Sequence, residues 1–180
     1  QLERMSDMTA SLLRLAQIDS GKIWMKKKKE NLSVLLCESA DAVESMMMVK
    51  NIDFQQEIPK ETMLSCDAFW IREAFKNLLK NATEHTPKNG KIRTTLDVTS
   101  GQYDIRIYNS GAEIRMDQRE EIFDRFYQGD LSHTTEGNGI GLTVVEKIIR
   151  LHGGNITVHS EEGIGTTFVV TLPDIQPRNT

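Results

Sequence analysis

Two cysteines, four prolines and no long apolar run set the first limits on this 180-residue chain. A bilayer-spanning helix needs roughly 20 consecutive apolar residues, and no such run occurs. Cys37 and Cys66 stand alone in apolar stretches with no Cys or His at zinc spacing, which excludes a disulfide scaffold and a zinc module. Both thiols are expected to be reduced core residues in a reducing compartment. Neither sign of charge dominates: 22 Lys and Arg against 26 Asp and Glu leave a net charge of −4, with no general footprint for nucleic acid or a membrane surface. No leader pattern and no initiator Met open the chain, which begins Gln-Leu-Glu-Arg-Met and is expected to be a piece of something longer. The phosphate loop G-x-x-x-x-G-K-[ST] is missing, and so is the dinucleotide fingerprint, whose last glycine would fall on Leu142. What remains is ordinary for one globular domain with a short appendage: 27% charged and 38% hydrophobic residues, long enough to bury roughly 70% of its unfolded surface.

Residues 1–19 read as a helix in which Met5, Met8, Leu12 and Leu15 form a heptad seam, flanked by Leu13, Ala16 and Ile18. Such a seam fits either the domain's own core or a partner helix; pairing is favoured because the pattern starts in mid-course. Asp19-Ser20-Gly21 stops it. Residues 24–30 read as an edge strand blocked by the lysine run 26–29. Asn31 or Ser33 caps a helix reaching about residue 49, with Met46, Met47 and Met48 as core filling. Strands are expected at 51–57 and 63–66, and an amphipathic helix on Ile71, Ala74, Phe75, Leu78, Leu79 and Ala82 ends near His85-Thr86-Pro87. Residues 91–98 and 103–108 pair as a hairpin, and 156–159 with 167–172 as another. Between them lie a polar stretch, 111–136, holding one apolar-aromatic knot at 122–127, and a helix at 140–151 ended by Gly153-Gly154.

Several features could carry chemistry. Asn77 and Asn81 are one helical turn apart beside a core stripe, where asparagine is a poor helix former. They are either boundary residues or amide-oxygen ligands for a hard cation such as magnesium. Gly137-Asn138-Gly139-Ile140-Gly141-Leu142 opens a helix, either as a tight turn or as a cradle of amides for an anion. Asn109-Ser110-Gly111 ends a strand, and Gly163-Ile164-Gly165-Thr166-Thr167 makes a hairpin turn.

In this order and spacing the pieces resemble the catalytic ATP-binding domain of two-component sensor histidine kinases, in the superfamily that includes gyrase, heat-shock chaperone and mismatch-repair ATPases. The resemblance runs over residues 32–173: an N box at 73–86, glycine boxes at 109–111, 137–142 and 163–167, and an F box at 123–127. It implies an α/β two-layer sandwich of a mixed β-sheet with helices on one face, preceded by a short N-terminal helix. It further implies that residues 1–20 end a second dimerisation helix, that 21–173 form the ATP-binding domain with a lid at about 112–137, and that 174–180 are a tail. ATP and Mg2+ are the implied cofactors. Asn81 would ligate the magnesium, Asn77 would support it or the phosphates, and Gly139 and Gly141 would offer amides to the phosphates. Phe123, Phe126 and Tyr127 would anchor the lid, and Gly111 would let the chain pass the adenine. The implied lining also includes Lys80, His85, Asn109, Ile114, Gly137, Ile140, Leu142 and Thr167.

The sequence departs from that family in four places. Asn109 stands where an aspartate usually meets the adenine amino group; an amide still matches adenine, with weaker discrimination against guanine. Glu84 and Gln128 replace two cations that usually sit near the phosphates, for which Lys80, Lys88 and Arg125 are candidate substitutes, Arg125 being equally able to pair with Asp124 or Glu121. Asn77 replaces the glutamate that activates water in the ATPase branches, which argues for transfer to an external nucleophile. None of His85, His133, His152 and His159 follows a phosphoacceptor pattern. The implied partners are therefore the dimerisation and histidine-phosphotransfer domain of a homodimeric parent kinase and a response regulator, without nucleic acid. A cytoplasmic place is implied, with the parent itself a possible membrane sensor. The alternative is a nucleotide-binding regulatory module with weak or no phosphotransfer.

Overall fold

Two hairpins and two crossovers build the main sheet. The structure, a computed structural model, describes residues 2–21, 23–127 and 139–174. In chain order its elements are α1 (Leu2–Asp19), β1 (Lys28–Asn31), α2 (Leu32–Asp41), α3 (Glu44–Val49), β2 (Asp53–Glu57), β3 (Met63–Cys66), α4 (Ala68–His85), β4 (Lys91–Thr99) and β5 (Gln102–Asn109). Two 3-10 turns follow, Met116–Gln118 and Glu121–Phe123, then α5 (Gly141–Leu151), β6 (Asn155–Glu161) and β7 (Gly165–Pro173). The five-stranded sheet runs β2-β4-β5-β7-β6, parallel at β2–β4 and antiparallel elsewhere. β1 and β3 form a separate antiparallel pair.

Strand pleat decides which face is covered. Ile92, Thr94 and Leu96 of β4, Tyr103, Ile105 and Ile107 of β5, and Phe168, Val170 and Leu172 of β7 are all buried. They form one core with Leu32 and Leu36 of α2, Ile71, Phe75 and Leu78 of α4, and Val144 and Ile148 of α5. The expected two-layer α/β sandwich is therefore what the chain forms.

The starts of α2 and α4 are capped by side chains. The Asn31 carboxamide oxygen accepts from the amides of Ser33 (3.1 Å) and Thr62 (3.2 Å), starting α2 and holding it to the chain before β3. Asp67 accepts from the amides of Phe69 (3.1 Å), Trp70 (3.3 Å) and Lys26 (2.8 Å), starting α4. Such caps contribute about 1 kcal/mol each.

Four expectations change. The edge strand covers only Lys28–Asn31, and Trp24 is 89% exposed. Its partner β3 ends at Cys66, opposite Lys28, because the next residue caps α4. The lysines do more than block an edge: Lys27 Nζ donates to the Leu151 carbonyl (3.2 Å) and Lys29 pairs with Asp174 (3.0 Å). The helix expected to reach residue 49 breaks after Asp41, where Val43 leaves helical geometry and turns into the core. Of the three methionines only Met47 is buried, since so short a helix as α3 has one inward face. Cys37 is exposed: its neighbours in sequence are apolar, but the helical period puts Leu35, Leu36, Ser39 and Ala40 inward and Cys37 outward. Cys66 is buried, and desolvation pushes its thiol pKa up to about 12.

α1 packs on α5 through its last two turns. Leu15 and Ile18 enter the core, whereas Leu12 and Leu13 stay exposed, so the heptad seam is divided between core and surface. Three ion pairs add to this: Arg14 with Glu73 of α4 (3.1 Å), and Asp19 with both Lys147 of α5 (2.9 Å) and Arg125 (2.5 Å). The two cations hold the Asp19 carboxyl below its ordinary pKa, the Lys147 hydrogen bond most of all. Burying two such side chains is worth about 1.5–3 kcal/mol each, so α1 is held by a modest margin. Leu15→Ala combined with Ile18→Ala is expected to release it. Amide exchange in α1 should then approach the unprotected rate while β4, β5 and β7 keep their protection; retained protection in α1 would show that the ion pairs suffice.

Candidate active site

α4 brings Asn77 to the start of α5, and Asn81 follows one turn on along the same helix face. Asn77 Nδ2 donates to the Glu73 carbonyl one turn back (2.8 Å), which fixes the amide orientation and turns Oδ1 outward. That oxygen lies 3.3 Å from where a Cβ on Gly141 would sit. The first turn of α5 therefore meets the paired asparagines with bare backbone. Its N-cap, Ile140, makes no side-chain capping bond, so the N-terminal amides of α5 are presented as a helix start can present them to an anion. Asn81 is half-buried, and its amide enters no hydrogen bond among the described residues. A lone amide oxygen of this kind suits a magnesium ion that keeps waters and substrate phosphates as its other ligands. Lys80 is half-buried on the same helix, about 100° round from Asn81.

Just past the C-terminal end of α4, Asn109 closes β5 and is 2% exposed. Gly111 follows so tightly that an added Cβ would stand 2.4 Å from the His85 carbonyl oxygen and 2.5 Å from Asn109 Nδ2. Its glycine is needed for contact with the end of α4, a constraint the sequence alone did not suggest. His85 itself is solvent-facing, with its pKa lowered by the surrounding protein and the nearby Lys50 ammonium.

The segment between β5 and α5 is fastened at both roots. On one side Ser160 Oγ accepts from the Ile114 amide (2.8 Å) and shares a hydrogen bond with Thr166 Oγ1 (2.7 Å). Arg119 donates to the carbonyls of Ile114 (3.2 Å) and Ser160 (2.5 Å). On the other side Thr143 Oγ1 donates to the Phe123 carbonyl (2.8 Å), and the Phe126 amide donates to the Gly139 carbonyl (2.8 Å). Gly139 has φ +67, and a Cβ there would stand 2.7 Å from the Phe126 carbonyl carbon and the Tyr127 oxygen. Phe123 packs edge-on against Phe168 of the core, with ring centroids 6.4 Å apart.

The structure sets Asn77 against Gly141, with Asn81 one turn further along α4 and Gly139 two residues before Gly141, and it sets Gly111 against Asn109 and the His85 carbonyl. Other expected lining residues move. Ile140 is fully buried, so its side chain seats the glycine turn in the core, and Leu142 packs partly against that core. Ile114 likewise packs against the core from the segment's root. Phe126 is 58% exposed with φ +61, so Ile122 and Phe123 are the apolar anchors and Phe126 is not; Tyr127 is half-buried beside it. Thr167 is paired with Tyr108 on the outer face of the sheet, and the inward residue is Thr166, 2% exposed, whose Oγ1 also donates to the Ala112 carbonyl (3.3 Å). The alternation of Phe168, Val170 and Leu172 held that signal, since Thr166 shares their parity. Arg125 pairs with Asp19 rather than Asp124 or Glu121. Gly137, Gln128 and His133 lie outside the described residues. His152 is buried and His159 exposed, and neither joins these two groups.

Known proteins resemble this chain in sequence and in fold. Sensor histidine kinase CusS of Escherichia coli O157:H7 is 32% identical over 176 residues, which is 97% of this chain and 36% of CusS. Sensor protein SrrB of Staphylococcus aureus (strain NCTC 8325 / PS 47) is 28% identical over 173 residues, 95% of this chain and 30% of SrrB. The chain thus spans about a third of these curated relatives. Among solved structures, the nucleotide-free catalytic domain of histidine kinase ThkA superposes with a TM-score of 0.75 at 31% identity, covering 83% of this chain and 97% of that domain. Residues 66–176 match the family model for histidine kinase-, DNA gyrase B- and HSP90-like ATPases. The chain belongs to that ATPase family.

Proposed function

We propose that this chain is the ATP-binding catalytic domain of a sensor histidine kinase, which passes the γ-phosphoryl group of ATP to a histidine on a dimerisation domain for relay to a response regulator. The observation that carries this reading is the approach of Asn77 Oδ1 to the bare backbone of Gly141 in the first turn of α5. CusS and SrrB, which the chain resembles along nearly its whole length, are sensor proteins by name. ThkA has been solved in complex with the response regulator protein TrrA; that structure is 26% identical with a TM-score of 0.76.

In this reading the amides of Gly139 and Gly141 bind the phosphates, and Asn77 orients them from one turn below Asn81. Asn81 would hold a magnesium ion, which when bound spreads the charge of the phosphates. Asn109 faces the base with one donor and one acceptor, and the Gly111 turn brings it against the end of α4. Positioning and charge stabilisation are most of what phosphoryl transfer asks of a protein. Asn77 has no basic group, so water is not activated from that position, and residues 1–20 serve as the end of the dimerisation helix. Asp19's hold on Arg125 favours a second reading, a nucleotide-dependent module with slow transfer, because it ties up a guanidinium next to the glycine turn.

Calorimetric titration with ATP, ADP and GTP, with and without Mg2+, tests the site. Magnesium-dependent ATP binding is expected, weakened about tenfold or more by Asn81→Ala; a folded protein that binds no nucleotide sinks the reading. Supplying dimerisation helices in trans should yield phosphohistidine on those helices, and its absence despite ATP binding would favour the regulatory module.

A further inference from the structure

We propose that Lys50 is a positioning residue for nucleotide: it holds the last turn of α4 so that the His85 carbonyl, against which Gly111 packs two residues past Asn109, keeps its place. The inference rests on the function proposed above. Helix ends leave carbonyls without partners, and glycine in a left-handed conformation usually closes them. α4 cannot end that way. Its C-cap Thr86 is extended (φ −83, ψ 130) and Pro87 follows.

The closure comes from elsewhere in the chain. Lys50, just past α3, sends Nζ to the carbonyls of Thr83 (2.8 Å), Glu84 (2.8 Å) and Thr86 (3.0 Å). An ammonium has three protons, and these three bonds use all of them. A cation at this end also complements the helix dipole. Lys50 is itself held in place. Its carbonyl accepts from the Asn89 amide (2.9 Å), and Asn51 Nδ2 donates to Asn89 Oδ1 (2.8 Å).

The bonded carbonyls of Glu84 and Thr86 flank that of His85, which is the oxygen 2.4 Å from where a Gly111 Cβ would stand. Lys50 therefore needs no contact with nucleotide to affect it. Letting the last turn open moves the His85 carbonyl, and the turn carrying Asn109 loses its seat. The base end of the site should suffer, and the phosphate end, one to two turns up α4, should suffer less.

Lys50→Met keeps the stem and removes the donors and the charge. ATP affinity is expected to fall about tenfold and the ATP-to-GTP ratio to shrink, as the loss of charged hydrogen bonds at a site wall predicts. The His85 titration, followed by NMR, should move up toward the ordinary histidine range. Lys50→Arg keeps the charge but cannot aim three protons from one atom, and should lose about threefold. A Lys50→Met protein with a lowered melting temperature but unchanged ATP affinity and ATP-to-GTP ratio would overturn the proposal, leaving Lys50 a stabilising residue only. Should Lys50→Met fail to fold, Lys50→Arg decides: about threefold weaker ATP binding supports the proposal, and wild-type affinity overturns it. Absence of ATP binding by the wild-type chain would instead fail the function on which the proposal stands.

Discussion

Gly139→Ala is expected to cut ATP affinity about tenfold or more while leaving the sheet intact. The first contribution is conformational: at φ +67 an L-residue costs about 1–2 kcal/mol. The second is a collision that no rotamer relieves, because the atoms 2.7–2.8 Å away are the backbone of Phe126 and Tyr127. The backbone must separate, and the Phe126 amide then loses the Gly139 carbonyl. One of the two fastenings between the aromatic turn and α5 is gone, and the glycine run loses its placement over Asn77. Gly163→Ala separates the two contributions. It has φ +75, but nothing lies within 4 Å of its Cβ position. That variant should lose about 1–2 kcal/mol of stability and keep its ATP affinity. Titration and thermal melting of both proteins decide the matter; equal ATP affinity in Gly139→Ala and wild type would show that the turn's placement is irrelevant to binding.

His152→Ala should cost about 2–4 kcal/mol of stability. The imidazole ends α5 and is 4% exposed. Its Nε2 accepts from the Asp67 amide (3.1 Å), so Nδ1 carries the proton and donates to the Ile148 carbonyl (2.8 Å). Asp67 is the N-cap of α4, and through one ring the end of α5 is tied to the start of α4. Only the neutral ring fits, since a proton on Nε2 would face the Asp67 N–H. Burial lowers its pKa, and Lys27 adds to this, while the Ile148 carbonyl and the Asp67 carboxylate pull the other way. The unfolded chain takes up this proton at about pH 6.5, and the folded chain only below that. Across that window the unfolded state binds more protons, so stability is whole above about pH 6.5 and is lost as the pH falls below it. His85, whose pKa is lowered by the protein packed around part of its ring and by Lys50, adds a slope of the same sign. His152→Gln, with one donor and one acceptor but no titration, should show a shallower fall in melting temperature from pH 7.5 to 5.5. An unchanged slope would place the titration elsewhere.

Much of this is legible in the amino-acid sequence alone. The alternating strands around Gly101 and Gly163 announced two hairpins, and the order of asparagines, aromatic knot and glycine runs announced the site. Local patterns failed where the answer lay across the chain. The reach of β1 depends on where β3 stops, and nothing near Trp24 records that. Neighbourhood misled at Cys37, where helical phase was the better guide, and at Thr167, where strand parity was. The partnerships that hold α4 at its two ends join residues 33–36 and 85 positions apart, as Lys50 to the last turn and His152 to Asp67. Ion pairs such as Asp19 with Arg125, 106 positions apart, leave no sequence signal beyond the presence of opposite charges.

That last pair has a thermodynamic consequence. One carboxylate at the end of α1 serves a cation from the aromatic turn and another from α5, the two elements that place the glycine run. Linkage between sites is reciprocal. If occupying the nucleotide site changes how firmly Arg125 grips Asp19 by some factor, pulling α1 away must change nucleotide affinity by that same factor. A helix that carries no nucleotide-binding residue can thus report the state of the site, or set it, and the two directions of information share a single free energy.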